Sequence, residues 1–217
     1  MDVPTQICTG SKVNAILNKA EKMTEEIIIA GFGGQGVLSM GKILAYSGVM
    51  QDQEVAWFPS YGPEMRGGTA NVTVILSDER ISSPVLHEFD TAIILNQQSM
   101  TKFESRVKPG GTLIYDPNGI IKHPTRKDIN ILRVEGSRLA VEMGNPLTFN
   151  MIVLGAFLKA KPVIKLENVK KGLEKSLPER HHKLIPLNLA AIEIGQKNLE
   201  VVQKMEDIRF NRGDMLK

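Results

Sequence analysis

The stretch Ile27 to Gly36 reads IIIAGFGGQG, an apolar run that passes directly into a glycine-rich turn. The apolar run has the composition of a buried strand, and the glycines let the backbone turn sharply before a helix begins. Such a turn offers backbone N–H groups and the positive end of a helix dipole to a phosphate. The candidate phosphate-binding residues are Gly31, Gly33, Gly34, Gln35 and Gly36.

The spacing Gly31-x-Gly33-x-x-Gly36 also matches the fingerprint of a nicotinamide or flavin site. That kind of site needs an acidic residue at the end of the second strand, about 20 residues past the glycines, to hold the ribose hydroxyls. Here Asp52 and Glu54 come before or at the start of the second predicted strand, which leads into Pro59. A nicotinamide- or flavin-dependent oxidoreductase is therefore kept only as an alternative.

A second distinctive stretch, Phe58 to Gly68, reads FPSYGPEMRGG and carries a single arginine, Arg66. A guanidinium followed by two glycines can bind a phosphate or carboxylate with two parallel hydrogen bonds, or reach an acidic group of a partner chain. Arg66 is our candidate catalytic residue. Tyr61 lies in the same loop and is predicted to shape it and to contribute to the binding site.

The order of elements predicts an α/β fold. Only residues 59–68 separate the second and third predicted strands, whereas a parallel crossover needs a dozen or more residues. If these two strands are neighbours, they must be antiparallel. We therefore predict a three-layer α/β/α domain with a mixed, mostly parallel sheet and a protruding loop at residues 59–68.

The predicted elements follow hydrophobic periodicity. The predicted strands cover residues 26–30, 54–58, 69–76, 91–95, 112–115 and 130–134. The predicted helices cover residues 36–50, 99–107, 137–143, 146–159, 166–176 and 186–205. We divide the chain into an N-terminal extension (1–22), one domain (23–205) and a C-terminal tail (206–217).

Composition bounds the function. The chain has 217 residues, of which 42% are hydrophobic and 24% charged, enough for one well-packed domain. The apolar run 151–158 is far shorter than the ~20 residues that cross a bilayer, and residues 1–4 do not begin a secretory signal. Aromatic residues make up only 5% and are not interleaved with the basic ones, which argues against nucleic-acid binding. We expect a cytoplasmic protein.

The sequence shows no recognisable catalytic arrangement of side chains. Its single cysteine, Cys8, cannot hold an iron–sulfur cluster, which takes about four thiolates. The four histidines, His87, His123, His181 and His182, are not spaced as metal ligands, and no nucleophile elbow or carboxylate pair is recognisable. We therefore predict no metal site, no cofactor bound by this chain alone and no turnover by the isolated chain.

Two motifs together resemble a known family. GFGGQG, from Gly31, and PSYGPEMRGGTANV, from Pro59, are similar to the gamma subunit of 2-oxoacid:ferredoxin oxidoreductases, equivalent to domain III of the single-chain pyruvate enzymes. The resemblance covers about residues 23 to 200, including the run Asn96 to Ser99. Met65 stands where pyruvate and branched-chain members more often carry a second arginine. The sequence of this motif therefore most resembles that of 2-oxoglutarate-specific members.

The resemblance implies a subunit of a thiamine-dependent enzyme that converts a 2-oxoacid, coenzyme A and oxidised ferredoxin to acyl-CoA, carbon dioxide and reduced ferredoxin. Thiamine diphosphate, Mg²⁺ and iron–sulfur clusters would lie on partner alpha, beta and optionally delta subunits. This chain would cover the active site, with its glycine turn near coenzyme A and its Arg66 loop at a subunit interface. The alternatives are a pyruvate or branched-chain substrate, and a purely structural subunit whose glycines serve packing alone.

Overall fold

The structure is a computed structural model that describes residues 23–61 and 68–205, apart from the side chain of Tyr61. The predicted N-terminal extension, the predicted C-terminal tail and residues 62–67 lie outside the described part. The strands are β1 Thr24–Phe32, β2 Glu54–Tyr61, β3 Thr69–Ser77, β4 Phe89–Ile94, β5 Val107–Tyr115, β6 Asn130–Arg133 and β7 Glu200–Gln203. The α-helices are α1 Val37–Val49, α2 Gln97–Phe103, α3 Gly136–Glu142, α4 Phe149–Ala160, α5 Leu166–Ser176 and α6 Ile185–Lys197.

The seven strands form one mixed sheet in the order β2-β3-β1-β4-β5-β6-β7. Strands β1, β4, β5 and β6 are parallel, and β3 pairs antiparallel with both β1 and β2. The prediction that the second and third strands are antiparallel neighbours is therefore confirmed. Because β3 lies between β1 and β2, the order also departs from the dinucleotide-binding fold, in which the first two strands are adjacent.

Helices cover both faces of the sheet, as predicted, but unequally. Helices α1, α3, α4, α5 and α6 pack on one face over strand residues such as Ile29, Val74 and Ile114. Helix α2 covers the other face, where Met100 and Phe103 contact the side of the sheet that carries residues such as Ile28. Consecutive residues of β1 pack in the cores on opposite faces of the sheet. This is the two-residue period expected of a strand that is buried on both faces.

The last predicted helix is wrong at its C-terminal end. The helix predicted over residues 186–205 stops at Lys197, and Glu200–Gln203 instead forms β7, antiparallel to β6. Asn198 ends the helix with its side-chain amide donating to the Ile194 carbonyl. The β-branched pair Val201 and Val202 favours an extended backbone, and Glu200 forms an ion pair with Arg133 of β6.

The helix predicted over residues 99–107 is also shorter than expected. It ends at Phe103, and Glu104–Arg106 forms a 3₁₀ turn before β5 begins at Val107. The register between β4 and β5 shifts from Phe89 opposite Val107 to Thr91 opposite Thr112, so the segment between them bulges out. The predicted strand covers only residues 112–115, so the irregular first half of β5 was not predicted from the sequence.

Candidate functional site

The glycine turn, the 59–68 loop and the segments that follow β4 and β5 begin at one edge of the sheet. The Leu95 amide donates to the Ala30 carbonyl, and the Asp116 amide donates to the Ile94 carbonyl, which links the carboxyl ends of β1, β4 and β5 in turn. Strand β2 ends at the same edge, since Gly31 and Tyr61 both pair with Ala70. The glycine turn and both ends of the 59–68 loop therefore lie together, at the edge where open α/β sheets bind ligands.

The glycine turn has a defined backbone shape. Gly34 and Gly36 have φ values of 101° and 75°, which side-chain-bearing residues rarely adopt. The Gln35 amide donates to the Phe32 carbonyl at 3.2 Å, and the Gly33 amide donates to the Gly68 carbonyl at 3.0 Å. The second bond ties the turn to the end of the 59–68 loop.

Two side-chain amides pack against this turn. Gln35 accepts a hydrogen bond from the Phe32 amide at 2.6 Å and donates one to the Leu95 carbonyl at 3.2 Å. Asn150, in the first turn of α4, lies so close to Gly36 that an added Cβ there would be 2.5 Å from its Nδ2. Asn150 is thus a polar residue on an otherwise apolar stretch of helix that lies beside the turn.

A cleft of about 320 Å³ opens beside the turn, between β3 and the start of α1. Helix α1 begins at Val37 after Gly36, which provides no side-chain cap, so its first N–H groups depend on other partners. No charged side chain lines the described part of this cleft. Its lining residues are Phe32, Gly33, Gly34, Gly36, Val37, Leu38, Ser39, Gly68, Thr69 and Ala70.

The cleft is therefore equipped to bind rather than to react. Backbone N–H groups and the positive end of the α1 dipole favour an anionic group, while the described walls offer hydroxyl and apolar groups but no general acid or base. Ser39 and Thr69 also line it. Ser39 has no nucleophile-elbow context in the sequence, and Thr69 belongs to the motif that carries the family resemblance, but neither was predicted to bind a ligand.

Two other polar residues at this edge make structural hydrogen bonds. Asn96 is buried and caps α2 by accepting from the Ser99 amide at 2.7 Å, while its Nδ2 has no hydrogen-bond partner among the described residues. Asp116 accepts from the Asn118 amide and from both the amide and the hydroxyl of Ser137, at 2.8, 2.8 and 2.6 Å. Both residues thus stabilise the turns that follow their strands.

The ionisable groups nearest this edge do not form an acid–base pair. A hydrogen bond from Arg138 lowers the pKa of Glu135, which keeps that carboxylate ionised. Burial raises the pKa of Tyr115, whose hydroxyl lies 3.4 Å from Nδ1 of His123. Tyr115 belongs to the core on the α2 face of the sheet, whereas the cleft lies beside α1.

One of the histidines makes structural hydrogen bonds away from the cleft. His182 donates through Nε2 toward the Glu174 and Leu177 carbonyls at 3.0 and 3.1 Å, at the end of α5. Across residues 23–61 and 68–205, no three His, Cys, Asp or Glu side chains are grouped as metal ligands. None of the described helices is long and apolar enough to cross a membrane.

Two of the predicted site residues lie wholly or partly outside the described part of the chain. Arg66 lies outside the described residues, and Tyr61 is described only as the last backbone position of β2. The prediction that they contribute to binding stays a prediction. The end of β2 confirms one argument against a nicotinamide site, because Pro59, Ser60 and Tyr61 provide no carboxylate for a ribose.

Comparison with known proteins identifies the family. Residues 26–197 match the family described as pyruvate ferredoxin/flavodoxin oxidoreductase. The chain belongs to this family. The resemblance read from the glycine turn and the 59–68 loop is thereby confirmed.

Relatives within the pyruvate ferredoxin/flavodoxin oxidoreductase family differ in how much of their length this chain matches. The 2-oxoglutarate synthase subunit KorC of Methanothermobacter marburgensis is 32% identical over 189 residues, covering 84% of this chain and 100% of KorC. The ketoisovalerate oxidoreductase subunit VorA of the same organism is 34% identical over 178 residues, covering 79% of this chain. The match covers 37% of VorA, so this chain spans about a third of that relative's length.

Solved family members share the fold. The keto/oxoacid ferredoxin oxidoreductase gamma subunit of Geobacter sulfurreducens superposes with a TM-score of 0.69 at 26% identity, covering 81% of this chain and 96% of that one. The 2-oxoglutarate:ferredoxin oxidoreductase of Magnetococcus marinus, solved with 2-oxoglutarate, coenzyme A and succinyl-CoA bound, has a TM-score of 0.74 at 26% identity. That match covers 86% of this chain and 34% of the longer one. The predicted α/β class is confirmed by these neighbours.

Proposed function

We propose that this chain is the gamma subunit of a 2-oxoglutarate:ferredoxin oxidoreductase. The complex would convert 2-oxoglutarate, coenzyme A and oxidised ferredoxin to succinyl-CoA, carbon dioxide and reduced ferredoxin, with the electrons leaving one at a time. The observation that carries this proposal is the match to KorC, which extends over the whole of that separate subunit. The match to VorA covers only a third of a longer chain.

The chemistry itself would take place on partner chains. Thiamine diphosphate with Mg²⁺ would decarboxylate the oxoacid, and iron–sulfur clusters would carry electrons to ferredoxin. The described cleft, lined by backbone and neutral side chains, supports a role for this chain in covering the site and binding a substrate. The partners are the alpha, beta and optionally delta subunits, in the cytoplasm.

We assign the anionic part of coenzyme A to the glycine turn. Three features support this assignment: the uncapped start of α1, the positive φ values of Gly34 and Gly36, and a cleft without acidic lining in its described part. Backbone N–H groups at such a helix start bind phosphate through both hydrogen bonding and the helix dipole. Gly31, Gly33 and Gln35 would shape the turn.

Gly34→Val tests this assignment. No atom lies within 4 Å of an added Cβ at Gly34, so the new side chain would project into open space, and a β-branched residue is strained at a φ of 101°. We expect the apparent KM for coenzyme A to rise about tenfold or more in the assembled complex, with thiamine diphosphate binding unchanged. Steady-state kinetics with coenzyme A varied at saturating 2-oxoglutarate measures this.

Gly144→Val is the matched control. Gly144 also has a positive φ, 74°, and also has no atom within 4 Å of an added Cβ, but it lies in the turn after α3 and outside the cleft. It should reproduce the backbone strain without the change in KM. An equal loss of assembly and activity in both variants would favour the purely structural subunit, and an unchanged KM for coenzyme A in the Gly34 variant would remove the turn from the ligand site.

An exposed apolar surface beside the site supports association with partner chains. Tyr46 and Val49 on α1 and Trp57 on β2 line one apolar groove and are 36, 49 and 41% exposed, and β2 is an edge strand. Phe58, 48% exposed, lies on the opposite face of β2, because successive strand residues alternate between the two faces. Aromatic residues at this exposure are enriched in protein interfaces. We propose that this surface, continuing into the 59–68 loop, contacts a thiamine-binding chain of the complex.

The branched-chain oxoacid remains the second candidate substrate, since the VorA relative is as similar in sequence as KorC. A stand-alone nicotinamide enzyme is disfavoured by two observations. The end of β2 offers no carboxylate, and β3 separates β1 from β2. A survey of 2-oxoacids with the purified complex distinguishes the substrates.

A further inference from the structure

We infer that Gln35 is a positioning residue, whose side-chain amide holds the glycine turn in its binding shape. The inference deepens the proposed function and rests on the assignment of coenzyme A to the turn. It concerns one side chain whose two polar atoms are both used within the chain.

The Gln35 amide bridges two strands. Its Oε1 accepts from the Phe32 amide at 2.6 Å, at the end of β1, and its Nε2 donates to the Leu95 carbonyl at 3.2 Å, just past the end of β4. These two strands are parallel neighbours. The side chain therefore ties the end of β1 to the residue that follows β4, at the edge where the ligand is proposed to bind. These two bonds use one of the two lone pairs of Oε1 and one of the two N–H groups of Nε2.

The neighbouring glycine makes room for this bridge. An added Cβ at Gly31 would lie 2.5 Å from Oε1 of Gln35 and 3.0 Å from Cβ of Leu95. In dinucleotide-binding enzymes the first glycine of the fingerprint serves the tight turn. Here Gly31 also leaves the space that the Gln35 amide occupies.

The turn needs such a restraint. Gly34 and Gly36 can adopt many backbone conformations. Without a restraint the turn would therefore populate its binding conformation only part of the time, because fixing it costs conformational entropy. Removing the bridge would leave the half-buried Phe32 amide without this partner and let the turn sample other shapes. Ligand affinity should fall because the cost of ordering the turn is then added to binding.

Gln35→Met tests this, because methionine has similar length and flexibility but no amide. In the assembled complex we expect an apparent KM for coenzyme A about tenfold higher, with kcat and the KM for 2-oxoglutarate within about twofold of the unsubstituted enzyme. Hydrogen–deuterium exchange of residues 31–36 in the same complex should be faster. This second measurement reports on the turn whether or not coenzyme A binds there.

Gln51→Met is the matched control. Gln51 is also half-buried and also bridges, accepting from the Lys165 amide at 2.8 Å and donating to the Val163 carbonyl at 2.8 Å. It lies past the end of α1, about 20 Å from the turn by helix length. A similar loss of thermal stability is expected in both variants, but only Gln35→Met should change the coenzyme A kinetics.

The outcomes separate the two claims. Unchanged exchange of residues 31–36 in Gln35→Met would overturn the positioning role. Faster exchange with an unchanged KM for coenzyme A would overturn the assignment of coenzyme A to the turn, and with it the ligand role of Gln35. A raised KM in the Gln51 variant as well would attribute the effect to general destabilisation and contradict the inference.

Discussion

Gly195→Ala is expected to lower the free energy of unfolding by about 3 kcal/mol, at the upper end of the usual cost of overpacking. Helices α4 and α6 cross so closely that an added Cβ at Gly195 would lie 1.8 Å from the Ile152 carbonyl oxygen. A backbone carbonyl cannot rotate away as a side chain can, so the helices must separate. For a domain of this size the expected fall in melting temperature is about 6–12 °C, measured by calorimetry.

The crossing is reciprocal, which gives a second test. An added Cβ at Gly155 would lie 2.0 Å from the Ile192 carbonyl oxygen, so Gly155→Ala should cost about as much. The double variant should cost clearly less than the sum of the two, since helices that have moved apart for one methyl group accommodate the other. The control is Glu193→Ala, an exposed position of α6, which should change stability by less than about 0.5 kcal/mol. Full additivity would contradict the shared crossing.

Arg66→Ala is expected to lower the turnover of the assembled complex by about one to two orders of magnitude. Arg66 stands two positions before Gly68, whose carbonyl accepts from the Gly33 amide at 3.0 Å, so the loop is anchored at the glycine turn. A charge-assisted hydrogen bond in a desolvated site contributes roughly 1.5–3 kcal/mol, which corresponds to that loss. Arg66→Lys should recover part of the activity, because lysine keeps the charge but loses the two-pronged geometry.

The variants are compared at fixed subunit stoichiometry, with 2-oxoglutarate and coenzyme A varied separately. The substrate whose KM rises is the one that the loop serves. Arg80, exposed beyond the end of β3 and thus at the opposite edge of the sheet, provides the matched control, and Arg80→Ala should leave turnover unchanged. Equal turnover in all the Arg66 variants would mean that the loop serves assembly alone.

Much of the site's framework follows from local sequence. The apolar run before Gly31 predicts a buried strand, and the short 59–68 connection excludes a parallel crossover between β2 and β3. The first prediction depends on apolar composition and the second on the length of the connection, and both hold. The family resemblance then identified the two loops that meet at one edge.

The parts that failed or were missed depend on distant contacts. Strand β7 forms because Glu200 and Val201 pair with residues of β6, which lie about 70 positions earlier in the chain. The apolar periodicity of residues 186–205 carries no information about that pairing. The roles of Gln35 and Asn150 depend on the Leu95 carbonyl and on Gly36 lying beside them. The sequence alone does not distinguish a glycine that makes room for a side-chain amide from one that makes room for a phosphate.

The most direct test of the proposed function is the 2-oxoglutarate-dependent reduction of ferredoxin by thiamine- and cluster-binding partner chains, co-expressed with and without this chain. The account predicts that this chain copurifies with its partners and is required for activity that depends on coenzyme A. It also predicts a higher kcat/KM for 2-oxoglutarate than for pyruvate or branched-chain oxoacids. Full activity without this chain would contradict the subunit assignment, and a preference for a branched-chain oxoacid or pyruvate would contradict the assigned substrate.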